Sequence, residues 1–177
     1  MGDEHHRRDA EPITLRDRSR AIVRPIRPAD KAVLSDAFGR LSDESRYRRF
    51  LSPLPELRPM DLLYLTEVDH HDHEALVAFD ARTGDGVGVA RYVRSREDPE
   101  AAEFAVTIVD DWQRRGLGTE LLKRLTERAR EEGLRRFTAS VLAENREMLG
   151  LLEELGSFRI GPAASGVVEV EGELGKQ

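Results

Sequence analysis

The chain has 177 residues, enough for one domain whose core needs neither disulfide nor metal. Its 28 Lys and Arg against 34 Asp and Glu leave a net charge of −6, which argues against a general nucleic-acid binder, and the absence of cysteine excludes thiol nucleophiles and thiolate-held metals. No apolar run approaches the roughly 20 residues of a membrane span and no signal-peptide core opens the chain, so a soluble cytoplasmic protein without membrane partners is expected.

Residues 1–12 are charged and nearly free of apolar side chains, which predicts a disordered tail in which His5 and His6 have no role. A single domain over 13–177 follows. Its first strand is expected over Ala21 to Arg27, with Pro25 suited to an edge or bulge, and Asp30 then caps a helix carrying Val33, Ala37, Phe38 and Leu41 at helical spacing. Ser42 opens a second short helix, DESRYRRF, and Pro59 suits the first turn of a third, MDLLYLTEV. Ala75 to Phe79 and Val87 to Val93 read as antiparallel strands joined by a turn at Gly84, Asp85 and Gly86. Strand and not helix follows those glycines, so they are not a phosphate loop. Ala101 to Val109 is the next strand. Leu121, Leu122, Leu125 and Ala129 then stripe a helix that Gly133 closes, Arg136 to Val141 returns as strand, and Asn145 opens a helix ending at Gly156. SFRI and GVVEVEG can add a closing hairpin. The expected class is α/β, a mixed and mostly antiparallel central sheet flanked by helices.

The stretch WQRRGLGT, Trp112 to Thr119, joins strand to helix. Free amides and the dipole at the helix start favour an anion, Gly116 and Gly118 let it approach the backbone, and Arg114 and Arg115 can add charge. It fits neither the Walker loop nor the dinucleotide fingerprint, and local chemistry alone leaves an anion cradle and a plain tight turn equally open. Glu103 is a lone carboxylate in an apolar strand, on the face shared by Ala105, Thr107 and Val109, and six residues or about 20 Å before Val109 at roughly 3.3 Å per residue. His70, His71, Asp72 and His73 are close in sequence but point in different directions, so no metal is expected. Arg46, Arg48 and Arg49 either line an acceptor surface or form salt bridges on their helix.

Gln113 to Gly118 resembles the Q/R-x-x-G-x-G/A signature of the GNAT superfamily of N-acetyltransferases. Arg24 to Arg27 with Asp30 is similar to that family's first strand and helix start. Asn145, Met148, Leu149, Leu155 and Gly156 are similar to its second block, N-x-x-M-L-x-x-x-x-x-L-G. SRYRRF, DHHDHEALVAFD and AEFAVTIVDDWQRRGLG further resemble the acetyltransferase domain of Pat-type protein lysine acetyltransferases. The resemblance implies acetyl-CoA as cosubstrate, without a metal, held by Ile108, Val109, Gln113, Arg114, Arg115, Gly116, Leu117, Gly118, Thr119 and Asn145. It implies Glu103 as the general base that frees an amine for direct attack, with an amide near Val109 stabilising the oxyanion. Many members carry a tyrosine seven residues after the helix asparagine to protonate the leaving thiolate, and here that position is Leu152. The implied acceptor is a protein lysine. The alternatives are a small-molecule amine and a non-catalytic acyl-CoA-binding module, and oligomeric state is not legible.

Overall fold

The computed structural model describes residues 10–175. Strand β1 (Glu11–Thr14) forms a hairpin with β2 (Arg20–Pro25), and α1 (Lys31–Gly39), α2 (Asp43–Phe50) and α3 (Pro59–Thr66) follow. The meander β3 (His73–Asp80), β4 (Gly86–Arg94) and β5 (Ala101–Ile108) precedes α4 (Leu117–Glu131). Then come β6 (Arg136–Leu142), α5 (Arg146–Leu155), β7 (Phe158–Ile160) and β8 (Val167–Glu173). The strands form one sheet in the order β1-β2-β3-β4-β5-β6-β8-β7. Every pairing in it is antiparallel except β5 with β6.

Most elements form where the pattern places them. β1 is the addition: Glu11 and Pro12, counted with the tail above, pair with Val23 and Ile22, while residues 1–9 with His5 and His6 lie outside the described residues. Its signal is short, since only Ile13 and the following Leu15 are buried. β2 ends at Pro25, two residues early, because Pro28–Asp30 form a 3₁₀ turn. β1 reaches only Val23, so the missing N–H of Pro25 leaves no gap in a ladder. Asp30 precedes α1 but its carboxylate does not cap it. It takes Arg24 in two hydrogen bonds, 2.7 and 2.8 Å, and the Arg27 amide at 2.7 Å.

Cross-strand register divides the sheet into two faces. Ala90 with Val106 and Tyr92 with Phe104 point toward α4, whose Leu117, Leu121, Leu122, Leu125 and Ala129 are buried against them. The opposite face carries Val77, Val89, Thr107, Ala75, Arg91, Ala105, His73 and Glu103 in successive rows. Burying the α4 stripe contributes about 1.5–3 kcal/mol per leucine, which anchors the meander from one side.

Candidate functional site

The parallel strands β5 and β6 pair only at Ala101 with Arg136, Ala102 with Phe137 and Glu103 with Thr138, then diverge. On its other edge β5 stays paired with β4 as far as Gly88 and Ile108. The gap opens a cleft of about 840 Å³ whose wall includes residues 103–108 of β5, Ala139 to Val141 of β6, the start of α4 and the inner side of α5. That volume lies within the range of sites for drug-sized ligands, roughly 300–1,000 Å³. Glu103 stands at the fork, the last β5 residue paired with β6, and its side chain is exposed to the cleft.

Backbone polarity along the gap follows from the ladder. The Val109 amide donates to the Val87 carbonyl at 3.0 Å. Alternation then turns Thr107, Ala105 and Glu103 toward β4 as well, and turns Val106 and Ile108 toward the open gap. The Ile108 carbonyl confirms this direction by accepting from Gln113 Nε2 at 3.0 Å. The Val109 amide is thus used within the sheet and Val109 does not line the cleft, so an oxyanion donor near Val109 would have to come from a neighbour whose amide faces the gap.

At the other end lies the loop before α4. Arg114 (φ 62°) and Gly116 (φ 90°) are left-handed, and this bends the chain so that α4 starts at Leu117 with Gly116, Leu117, Gly118 and Thr119 on the cleft wall. The first amides of an α-helix have no partner within the helix, so this end favours an anion. The two arginines separate. Arg114 lines the cleft, 82% exposed, with Glu147 at 3.4 Å. Arg115 turns away: it lies over the Trp112 ring at 4.7 Å, donates to the Asp111 carbonyl at 2.7 Å, and does not line the cleft. Gln113 also holds the loop, donating to Ser45 Oγ at 3.2 Å, while Asn145 Oδ1 caps α5 by accepting from the Met148 amide at 3.2 Å. Leu152 is fully buried in the core, and Tyr47, Tyr64 and Tyr92 all lie off the cleft wall.

The remaining candidates sort by contact. His70 meets Glu74, His71 meets Glu132, and His73 Nε2 lies 3.0 Å from Arg91. Among the described residues no group of three or more His, Cys, Asp or Glu is placed to hold a metal ion. Arg46 lies over the Phe38 ring and donates to the Pro55 carbonyl, a packing role, whereas Arg48 and Arg49 line the cleft. Two site residues were missed in the sequence. Arg16, from the β1–β2 turn, approaches the loop so closely that a Cβ on Gly116 would meet its Nε at 3.0 Å. Arg91 is a lone charge in the apolar run VGVARYV, the same signal that singles out Glu103.

Residues 41–157 match the model of the acetyltransferase (GNAT) family. The chain is similar to Acetyltransferase Pat of Mycolicibacterium smegmatis, 35% identical over 82% of this chain, and spans 44% of that protein's length. It is also similar to Acetyltransferase PA5475 of Pseudomonas aeruginosa, 34% identical over 81% of this chain and 77% of the relative. Among solved structures, the GNAT domain of S. lividans PAT superposes with a TM-score of 0.86 at 32% identity, covering 93% of this chain and 96% of that one.

Proposed function

The chain belongs to the GNAT acetyltransferase family, and from that membership we propose that it transfers the acetyl group of acetyl-CoA to an amine, with a protein lysine as acceptor and the described residues from Glu11 onward acting as one catalytic domain. One observation carries the reading. A single open strand edge joins an anion-favouring helix start at Gly116–Thr119 to a lone carboxylate, Glu103, at the fork of the sheet. The strand from Glu103 to Val109 spans about 20 Å at roughly 3.3 Å per residue, a length along which a cosubstrate with phosphates at one end and a thioester at the end of an extended arm can lie.

In this reading the Leu117, Gly118 and Thr119 amides hold the pyrophosphate, and Arg114 adds an exposed charge. Gln113 and Asn145 act by holding the loop and the start of α5, and Arg115 by bracing the loop on Trp112. The Val106 and Ile108 polar groups, turned toward the gap, pair with the amides of the arm as a missing strand would. Glu103 takes a proton from the acceptor ammonium, directly or through one water, because a lysine amine with a reference pKa of about 10.4 is scarcely nucleophilic near pH 7. The neutral nitrogen attacks the thioester carbon, an N–C bond forms, and collapse of the tetrahedral adduct breaks the C–S bond. The electron pair leaves on sulfur, and cleft water returns the proton, since the position that carries a tyrosine in many relatives is a buried leucine.

The lysine assignment draws on the resemblance of SRYRRF, DHHDHEALVAFD and AEFAVTIVDDWQRRGLG to Pat-type protein lysine acetyltransferases. The chemical assignment is tested with Glu103→Gln, which is isosteric at an exposed position. It is expected to lower kcat/KM by roughly 10²–10⁴ while leaving CoA binding by calorimetry within about twofold. Full activity of this variant on every acceptor found would remove Glu103 as the base. Mass spectrometry of proteins incubated with enzyme and acetyl-CoA tests the lysine acceptor.

A further inference from the structure

Beside Glu103 the same sheet face holds two arginines for which the transfer reaction has no use. Arg91, in β4, is 5% exposed, and donates to the Leu65 carbonyl at 3.1 Å and toward His73 Nε2 at 3.0 Å. Arg49, from α2, lies over the Phe50 ring at 4.7 Å. Both line a pocket of about 60 Å³ between α1 and the β4–β5 face, with space for roughly four water molecules. Its other walls are almost all apolar, and it shares Arg49, Phe50, Ala105 and Thr107 with the cleft, so the two adjoin. Arg91 is paired across the strands with Ala105, which puts Glu103 in the diagonal position, about 7–8 Å away between backbones and within reach of long side chains.

The charges here do not balance. Neither arginine has a carboxylate in ion-pair contact among the described residues. Glu103 is the carboxylate that attracts Arg49, and Arg91 has none of its own. Burial, and then the charge of Arg49, push the Arg91 pKa down to about 9. Burial also lowers that of Arg49, against the attraction of Glu103 and Tyr64. His73 adds neither sign near neutral pH, because burial and then Arg91 push its pKa down to about 4. Two partly desolvated guanidiniums facing one carboxylate make an incomplete ion cluster, and an unpaired buried charge is costly. An acceptor bearing only an ammonium would worsen the imbalance.

Resting on the transfer reading, we propose that the acceptor carries a carboxylate close to its reacting amine, and that Arg49 and Arg91 hold that carboxylate in the pocket beside Glu103. The acceptor is then a zwitterion at the site, its ammonium on Glu103 and its one carboxylate shared by the two arginines, so the net charge of the cluster is unchanged by binding while each buried charge gains a partner. The guanidinium fork suits a carboxylate through two parallel N–H bonds. The carboxylate comes either from a free amino acid or from an acidic side chain next to an acceptor lysine.

The test is a matched panel: free amino acids against their amides, and lysine peptides with Asp or Glu beside the lysine against the same peptides with Asn or Gln. Thiol release from acetyl-CoA is followed for each. At least one class is expected to prefer the acid over its amide by tenfold or more in kcat/KM, and the class that does so identifies the source. Arg49→Gln is expected to remove the preference through KM, Arg49→Lys to restore part of it, and CoA affinity to stay unchanged in both. Equal rates for acid and amide, or an equal loss on both in Arg49→Gln, overturn the proposal. Should no acceptor be turned over, the transfer reading fails and the pocket is still read directly. Calorimetry of the CoA-loaded protein then shows either acid-selective binding that Arg49→Gln abolishes, which supports the anion site, or no selectivity, which ends it.

Discussion

Gly116 shows how one backbone angle sets up a binding site. At φ 90° it bends the chain out of the 3₁₀ turn Asp110–Trp112 and into α4, so that the free amides of Leu117 to Thr119 face the cleft. An L residue there costs about 1–2 kcal/mol, and an added Cβ would also meet the Arg16 guanidinium, a flexible group that can move aside. Gly116→Ala is therefore expected to lower the melting temperature by several degrees and weaken CoA binding about tenfold or more. Calorimetry beside thermal unfolding checks both, and a variant that melts lower but binds CoA as before would separate the turn from the anion site. Gly116 and Glu103 were both legible in the sequence, one by its place before a helix, the other as a charge in an apolar strand. The roles of the two arginines beside Gly116 were not, because the left-handed Arg114 and the stacking of Arg115 on Trp112 depend on a loop conformation that spacing does not encode.

At the scale of elements, the site is held by ties between parts far apart in sequence. The Asp110 carboxylate accepts from the Ser42 amide at 2.9 Å and from Ser45 Oγ at 3.2 Å, fixing the start of α2 to the loop after β5. Burial opposes ionisation of Asp110, but these hydrogen bonds outweigh it and hold the carboxyl below its usual range. α2 in turn supplies Arg48 and Arg49 to the cleft. The closing hairpin is a second tie. β8 lies between β6 and β7, and Phe158 of β7 pairs with Gly172 of β8, where a Cβ would come within 2.5 Å of the Phe158 ring. That ring lies 5.5 Å from that of Phe104 of β5, tilted against it, and Phe104 lines the cleft. Gly172→Ala is expected to destabilise by about 1–3 kcal/mol through overpacking. Chemical denaturation should show the loss, and a neutral result would mean that Phe158 has another place to go. The hairpin itself was legible as two strand-like runs. Its insertion beside β6 was not, since register with a distant strand leaves no local mark.

At the scale of the whole molecule, alternation and helical stripes sufficed for the meander, the α4 stripe and the mixed sheet, because each is a local pattern with one buried face. The cleft was not legible, since it arises from the divergence of β5 and β6 after three paired rows, a property of the twisted sheet and not of either strand. The same folding that opens the cleft encloses charge on the face beside it, and this has a consequence for stability. His73 is packed against the Tyr64 ring at 5.0 Å and beside Arg91. Burial and the Arg91 charge, with a smaller push from His70, outweigh the attraction of Asp69 and Glu74 and bring its pKa down to about 4, from an ordinary 6.5. The folded state therefore prefers the neutral ring. Between pH 6.5 and 4 the unfolded chain binds this proton and the folded chain does not, so stability is full above about pH 6.5 and is lost as the pH falls through that window. The loss from this residue is on the order of 1 kcal/mol once its partial exposure is allowed for. Below about pH 4 the lowered carboxyls of Asp30 and Asp110 add their own loss. Unfolding free energies of the protein and of His73→Gln, measured by urea titration from pH 4 to 7.5, isolate the histidine. The difference between the two curves should shift in favour of the variant as the pH falls from 6.5 to 4, and parallel curves across that window would mean that His73 takes up its proton equally in both states.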